Sequence, residues 1–162
     1  QLGSSIYMLT WQSETGFIFD AGTFERIGTF DYEGQGWGLT HDGTHLILSD
    51  GTAELRVIDP ADFSTVRTIA VTLAGRPVRR LNELEWVDGE IWANVWQSPL
   101  IVRIDPESGA VTGLIDLTDL VPPALAGSRD AVANGIAWNR ETGQIYVTGK
   151  LWPSLYEIRI SE

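Results

Sequence analysis

The stretch ELEWVDGEIWANVWQSPLIVRI, residues 83–104, decides the fold. Glu83-Leu84-Glu85 opens a short strand, Asp88-Gly89 makes a turn, and Ile91-Trp92-Ala93-Asn94-Val95 forms a second strand. Asp-Gly between two apolar runs is a tight-hairpin signal. Ile101-Val102-Arg103-Ile104 follows as a third strand, Asp105-Pro106 closes it, and Val111 to Leu117 reads as a fourth. No window of the chain keeps a helical apolar period over several turns, so the class is all-β.

The same unit recurs on both sides. Gly38-Leu39-Thr40 and Gly135-Ile136-Ala137 open strands, Asp42-Gly43 and Glu141-Thr142-Gly143 turn them, and Leu46-Ile47-Leu48 and Ile145-Tyr146-Val147 return. Leu55 to Ile58 and Leu155 to Ile158 are the third strands; Asp59-Pro60 and Val66 to Val71 complete the earlier copy. The repeat is 45 residues from Leu39 to Leu84 and 52 from Leu84 to Ile136, the second stretched by a loop around Val121 to Val132. Four short antiparallel strands per ~40–50 residues mark a β-propeller blade. The expected organisation is one partial propeller domain of roughly three and a half blades: 1–33, 34–80, 81–132 and 133–162. Ile6 to Trp11, Gly16 to Phe19 and Arg26 to Phe30 read as strands two to four of a blade without its inner strand. The last copy stops after its third strand. A piece of a longer propeller is expected; the alternative is a closed four-bladed ring with degenerate end strands.

Composition narrows the function. The 162 residues carry 22 acidic and 11 basic side chains, a net charge of −11, which disfavours a nucleic-acid partner because phosphate binding relies on clustered Lys and Arg. There is no cysteine, which excludes disulfides and thiolate chemistry. No apolar stretch approaches the ~20 residues of a membrane span, so a membrane is not expected as a partner. His41 and His45 flank one hairpin turn without a third ligand, so zinc is not expected. Gly34-Gln35-Gly36-Trp37-Gly38 precedes a strand rather than a helix and lacks the context of a phosphate cradle. The Ile-Asp-Pro segments read as turn punctuation.

Function in a propeller must be argued from residues at a mouth of the channel. Seven tryptophans exceed ordinary packing needs. Trp86, Trp92 and Trp138 sit inside strands and read as core between blades, whereas Trp37, Trp96 and Trp152 sit at strand ends, where a ring can wall a pocket. Asn82 opens an inner strand, and Asp50 ends another before Gly51, a place that also suits turn capping. Glu83 and Glu85 share one strand face, as an acid pair or as salt-bridge partners of Arg79 or Arg80. Lys150 is the chain's only lysine, an ammonium able to hold a carboxylate or carbonyl oxygen.

These residues resemble the plant-type and bacterial glutaminyl cyclases, five-bladed propeller enzymes. The resemblance is carried by Gly36-Trp37-Gly38-Leu39, Ser49-Asp50-Gly51-Thr52, Arg80-Leu81-Asn82-Glu83-Leu84-Glu85, Ile91-Trp92-Ala93-Asn94-Val95-Trp96-Gln97, Asn134-Gly135-Ile136-Ala137-Trp138 and Val147-Thr148-Gly149-Lys150-Leu151-Trp152-Pro153, in order along nearly the whole chain. It implies cyclisation of the N-terminal glutamine of peptides to pyroglutamate with loss of ammonia, without a metal or other cofactor, in the periplasm or outside the cell. It places Lys150 and Asn82 among catalytic residues, and Trp37 and Trp96 against the glutamine side chain. Trp11, Asp50, Trp152 and Glu83 are expected near the substrate. The family's acid/base glutamate belongs to a Gly-Glu-Gly type segment before Ile6 to Trp11, which this chain lacks, so the 162 residues alone are expected to be inactive and to depend on that N-terminal segment. Two other functions stay open: a peptide-binding propeller without chemistry, and a metal-dependent lactonase-like hydrolase using Asp50, Asn82 and Asn134.

Overall fold

In the computed structural model, which describes residues 1–160, the hairpin around Asp88-Gly89 is the centre of a four-stranded meander: β10 (Leu81–Val87), β11 (Glu90–Val95), β12 (Leu100–Ile104) and β13 (Val111–Asp116). Before it comes a second four-stranded meander of β4 (Gly38–His41), β5 (Leu46–Ser49), β6 (Glu54–Ile58) and β7 (Thr65–Ala70). Three-stranded sheets flank this pair: β1 (Ser5–Leu9), β2 (Thr15–Asp20) and β3 (Arg26–Asp31) on one side, and β14 (Ala133–Trp138), β15 (Ile145–Gly149) and β16 (Tyr156–Ile158) on the other. Within each of these sheets, consecutive strands pair antiparallel. The expected boundary at residue 162 lies outside the described residues.

The sheets stack face to face, and the apolar runs follow from that. Along β11, Ile91 and Ala93 enter the core shared with β4–β7, while Trp92 between them enters the core shared with β14–β16. β5 divides likewise: Ile47 faces β10–β13, and Leu46 and Leu48 face β1–β3. With both faces buried, a strand reads as a continuous apolar run rather than an alternation. A third core of Phe30, Tyr32 and Ile58 joins β1–β3 to β4–β7, with Phe30 stacked on Phe63 at 4.3 Å.

Successive sheets are tied by side chains of their first and second strands bonded to backbone of the next sheet's inner strand. Thr40 Oγ1 on β4 accepts the Trp86 N–H of β10 at 2.9 Å, and Ser49 Oγ donates to the Asn82 carbonyl at 2.5 Å. Glu83 and Glu85 accept the N–H groups of Ile136 and Trp138 on β14, each at 2.9 Å. Asn94 Oδ1 accepts from the Gly135 N–H. Gly38 is required where β4 meets β10, because a Cβ there would overlap the Asn82 carbonyl oxygen.

Three local features differ from the sequence reading. The first strand ends at Leu9, not Trp11, because the Trp11 carbonyl turns to accept the Gly36 N–H. A two-stranded ribbon, β8 (Thr72–Leu73) and β9 (Arg76–Pro77), turns at Ala74 and Gly75, both at positive φ (50° and 76°), as a two-residue hairpin demands. The stretched loop carries two 3-10 turns, Thr118–Leu120 and Pro123–Leu125. The Asp-Pro corners act as turn punctuation: Asp59 and Asp105 Oδ1 accept from the Ala61 and Ser108 N–H groups, each at 2.8 Å. The described residues contain no helix long and apolar enough to cross a membrane.

Candidate active site

β10 runs between two cavities. Its Asn82 end opens on one of about 540 Å³, its Glu85-Trp86 end on one of about 350 Å³. The larger gathers Trp11, Trp37, Asn82, Trp96 and Lys150 from four different sheets.

Local backbone explains the convergence. Trp96 and Lys150 each follow the last residue of a second strand and precede a residue held at positive φ, Gln97 and Leu151, both at 62°. The Trp96 N–H donates to the Arg80 carbonyl at 2.8 Å and the Lys150 N–H to that of Val132 at 2.9 Å, so the two blades repeat one turn with different side chains. On the inner strand, Leu81 pairs with Val95 and Leu84 with Ala93, so Asn82 and Glu83 together face the single residue Asn94 of β11. This bulge falls at Asn82, where an extra residue re-aims a side chain. Asn82 is buried, and its carboxamide has no hydrogen-bond partner among the described residues. It is a donor and acceptor pair available at the cavity floor.

The aromatic wall is organised by a residue that the sequence reading passed over. Gln35 Oε1 accepts both the Trp11 indole N–H at 2.8 Å and the Trp37 indole N–H at 2.7 Å. Trp37 and Trp96 then meet edge to face, 5.5 Å between centroids. Gly51, at φ 84°, lies under the Trp37 ring, where a Cβ would stand 2.7 Å from it. Leu9 and Gly36 complete the apolar side; Arg129 and Asp130, from the stretched loop, bring charge beside Lys150. Gln35 was visible only as a member of a glycine-rich segment, and Arg129 and Asp130 only as part of an insertion.

Three expected residues lie outside this cavity. Asp50 caps its own turn, its Oδ1 accepting the Thr52 N–H at 2.9 Å and the Thr52 hydroxyl proton at 2.6 Å, with Arg56 at 4.0 Å. Asp50 lines a different cavity from Asn82, beside Ala70, Val71 and Arg79. Trp152 is buried in the core between β10–β13 and β14–β16; its indole N–H donates to the Ala131 carbonyl at 3.2 Å and its ring covers Gly149. It shapes the Lys150 turn from beneath. Glu83 sits on the strand after Asn82 with its carboxylate on the Ile136 N–H rather than on Arg79 or Arg80. Burial, with Glu85 beside it, pushes its carboxyl up to about 8. Burial also raises Glu85, which lines the smaller cavity with Trp86 and Trp138, so these two indoles are partly exposed rather than wholly core. His41 and His45 stay within their hairpin: His41 Nδ1 accepts the Gly43 N–H, and His45 Nδ1 lies 3.5 Å from Asp42.

Comparison with known proteins gives this cavity a context. The glutaminyl-peptide cyclotransferase of Arabidopsis thaliana is 42% identical over 164 residues, covering 99% of this chain and 51% of that protein. The chain thus spans about half the length of this curated relative. The crystal structure of Myxococcus xanthus glutaminyl cyclase matches with a TM-score of 0.90 at 41% identity, over 97% of this chain and 68% of that one. The WD40 domain of Toxoplasma gondii coronin matches at TM-score 0.57 and 15% identity, over 92% of this chain and 37% of that one, a likeness of fold alone that supports the propeller architecture. A family model described as glutamine cyclotransferase matches residues 1–160, and the chain belongs to that family.

Proposed function

We propose that the intact protein carrying this chain converts the N-terminal glutamine of peptides to pyroglutamate, and that the cavity of Trp37, Asn82, Trp96 and Lys150 is where it does so. The observation that carries the reading is the convergence of those four side chains, from three successive sheets, on one cavity. The substrate's α-amine attacks its own γ-carboxamide carbon; a C–N bond forms, the old C–N bond breaks, and ammonia leaves. The indoles of Trp37 and Trp96 hold the glutamine methylenes in the folded-back geometry that brings amine and carbonyl together. Asn82 hydrogen-bonds the carboxamide, and the Lys150 ammonium faces the oxygen on which negative charge develops. The reaction also needs a proton taken from the amine and one given to ammonia. Asp130 is the carboxylate at this cavity among the described residues, and the resemblance adds a glutamate from a segment outside this chain.

The four sheets are read in the same proposal as consecutive blades of a five-bladed ring, the count that the resemblance implies. Mass spectrometry of peptides differing only in Gln, Glu or Asn at the first position tests the activity. Loss of one ammonia from the Gln peptide alone is expected; an unchanged Gln peptide contradicts the proposal.

A further inference from the structure

The loop that lengthens the third repeat does more than close a blade. From the cavity just described, two segments run outward side by side. One continues from Trp96 into Gln97, Ser98 and Pro99; the other runs from Asp130 and Arg129 back through Ser128 towards Leu125 and Val121. Between them lies a second cavity of about 490 Å³, and Arg129 lines both. Arg129 is thus a wall that the two depressions share, and the second adjoins the first.

Its walls are held in place. The Leu125 N–H donates to the Pro122 carbonyl at 2.8 Å and the Ser128 N–H to that of Leu125 at 3.0 Å. Ser128 Oγ accepts from the N–H groups of Asp130 and Ala131, and the Ser98 N–H donates to the Val95 carbonyl. Pro99, Val121 and Leu125 give the depression apolar sides. The Arg129 guanidinium makes no hydrogen bond or ion pair among the described residues, which leaves five N–H donors at the junction.

A peptide gripped by its first residue leaves the pocket as an extended chain, advancing ~3.3 Å per residue. We propose that the depression between residues 97–99 and 121–129 receives the residues that follow the substrate's glutamine. It would seat an apolar side chain against Pro99, Val121 and Leu125 while Arg129 donates to a peptide carbonyl. This rests on the cyclase reading of the neighbouring cavity.

Three substrates of the intact protein test it: glutamine amide, Gln-Ala-Leu-Leu-Ala amide and Gln-Ala-Ser-Ser-Ala amide. The leucine peptide is expected to exceed the serine peptide in kcat/KM by about tenfold, the discrimination that one well-seated apolar group gives. Leu125→Ala and, separately, Val121→Ser should erase most of that ratio while turnover of glutamine amide stays unchanged; circular dichroism checks that each variant is folded. Equal rates for both peptides in the parent protein, or a ratio that survives both substitutions, overturn the proposal. If glutamine amide itself is not turned over, it is the cyclase reading that fails, and the groove proposal falls with it.

Discussion

Trp37 and Trp96, on neighbouring sheets, meet edge to face with an interplanar angle of 79° and centroids 5.5 Å apart. Each ring thereby fixes the other at the cavity wall, and such a pair is worth ~0.5–1.5 kcal/mol beyond its buried area.

Truncating one ring should cost substrate binding more than folding. Trp96→Ala is expected to lower kcat/KM by roughly 30-fold, the ~2 kcal/mol typical of a lost aromatic anchor. The melting temperature should fall by only a few degrees, because Trp96 is half-buried and its edge contact with Trp37 is the main packing lost. Steady-state kinetics beside a melting curve separates the two effects.

Gln35 offers a sharper test, since it need not touch the substrate. Its single oxygen holds two indole N–H groups. Gln35→Leu removes both bonds, ~1 kcal/mol each, and should lower kcat/KM by up to about 30-fold while fluorescence reports more mobile tryptophans. Gln35→Glu keeps an acceptor and should recover most of the loss.

Glu83 makes stability depend on pH. Its carboxyl titrates at about 8 in the fold and near 4.5 when exposed, so between those values the folded protein holds a proton that the unfolded chain has released. Its contribution is complete below about 4.5, falls as pH rises through the interval, and is gone above about 8. Glu83→Gln keeps an oxygen for the Ile136 N–H but cannot titrate, so Tm should vary less with pH, with a residual slope from Glu85, whose carboxyl burial also raises. Melts from pH 4 to 9 showing identical slopes in both proteins would refute this.

Close approach of β4 to β10 predicts that Gly38→Ala is destabilising. The added methyl meets the Asn82 carbonyl, a backbone atom that cannot rotate away. A loss of about 1–3 kcal/mol is expected in chemical denaturation, accompanied by weaker turnover as Asn82 is displaced.

Much of this was legible in the chain. Strands such as Ile91–Val95 announce themselves because both faces are buried and the turns around them carry Asp-Gly or Asp-Pro. Trp37, Asn82, Trp96 and Lys150 could be singled out because each stands at a strand end, and there the four side chains meet one cavity. Trp152 stands at such an end too but turns inward, because its indole N–H finds the Ala131 carbonyl and its ring covers Gly149. Asp50 shares the strand-end position of Trp96 and Lys150, yet its short side chain is satisfied within its own turn by Thr52. Arg129, Asp130 and Gln35 carry no local signature: their places depend on how a long loop and a glycine-rich segment cross the cavity.

Ammonia release from a Gln-initial peptide by the intact protein and by its Lys150→Ala variant tests the central claim most directly. The parent protein should release one ammonia per pyroglutamate formed, and the variant should lose more than about 100-fold in kcat, as when a donor to a developing oxyanion is removed, with its Tm unchanged. Equal rates in the two proteins would contradict the assignment of the reaction to this cavity.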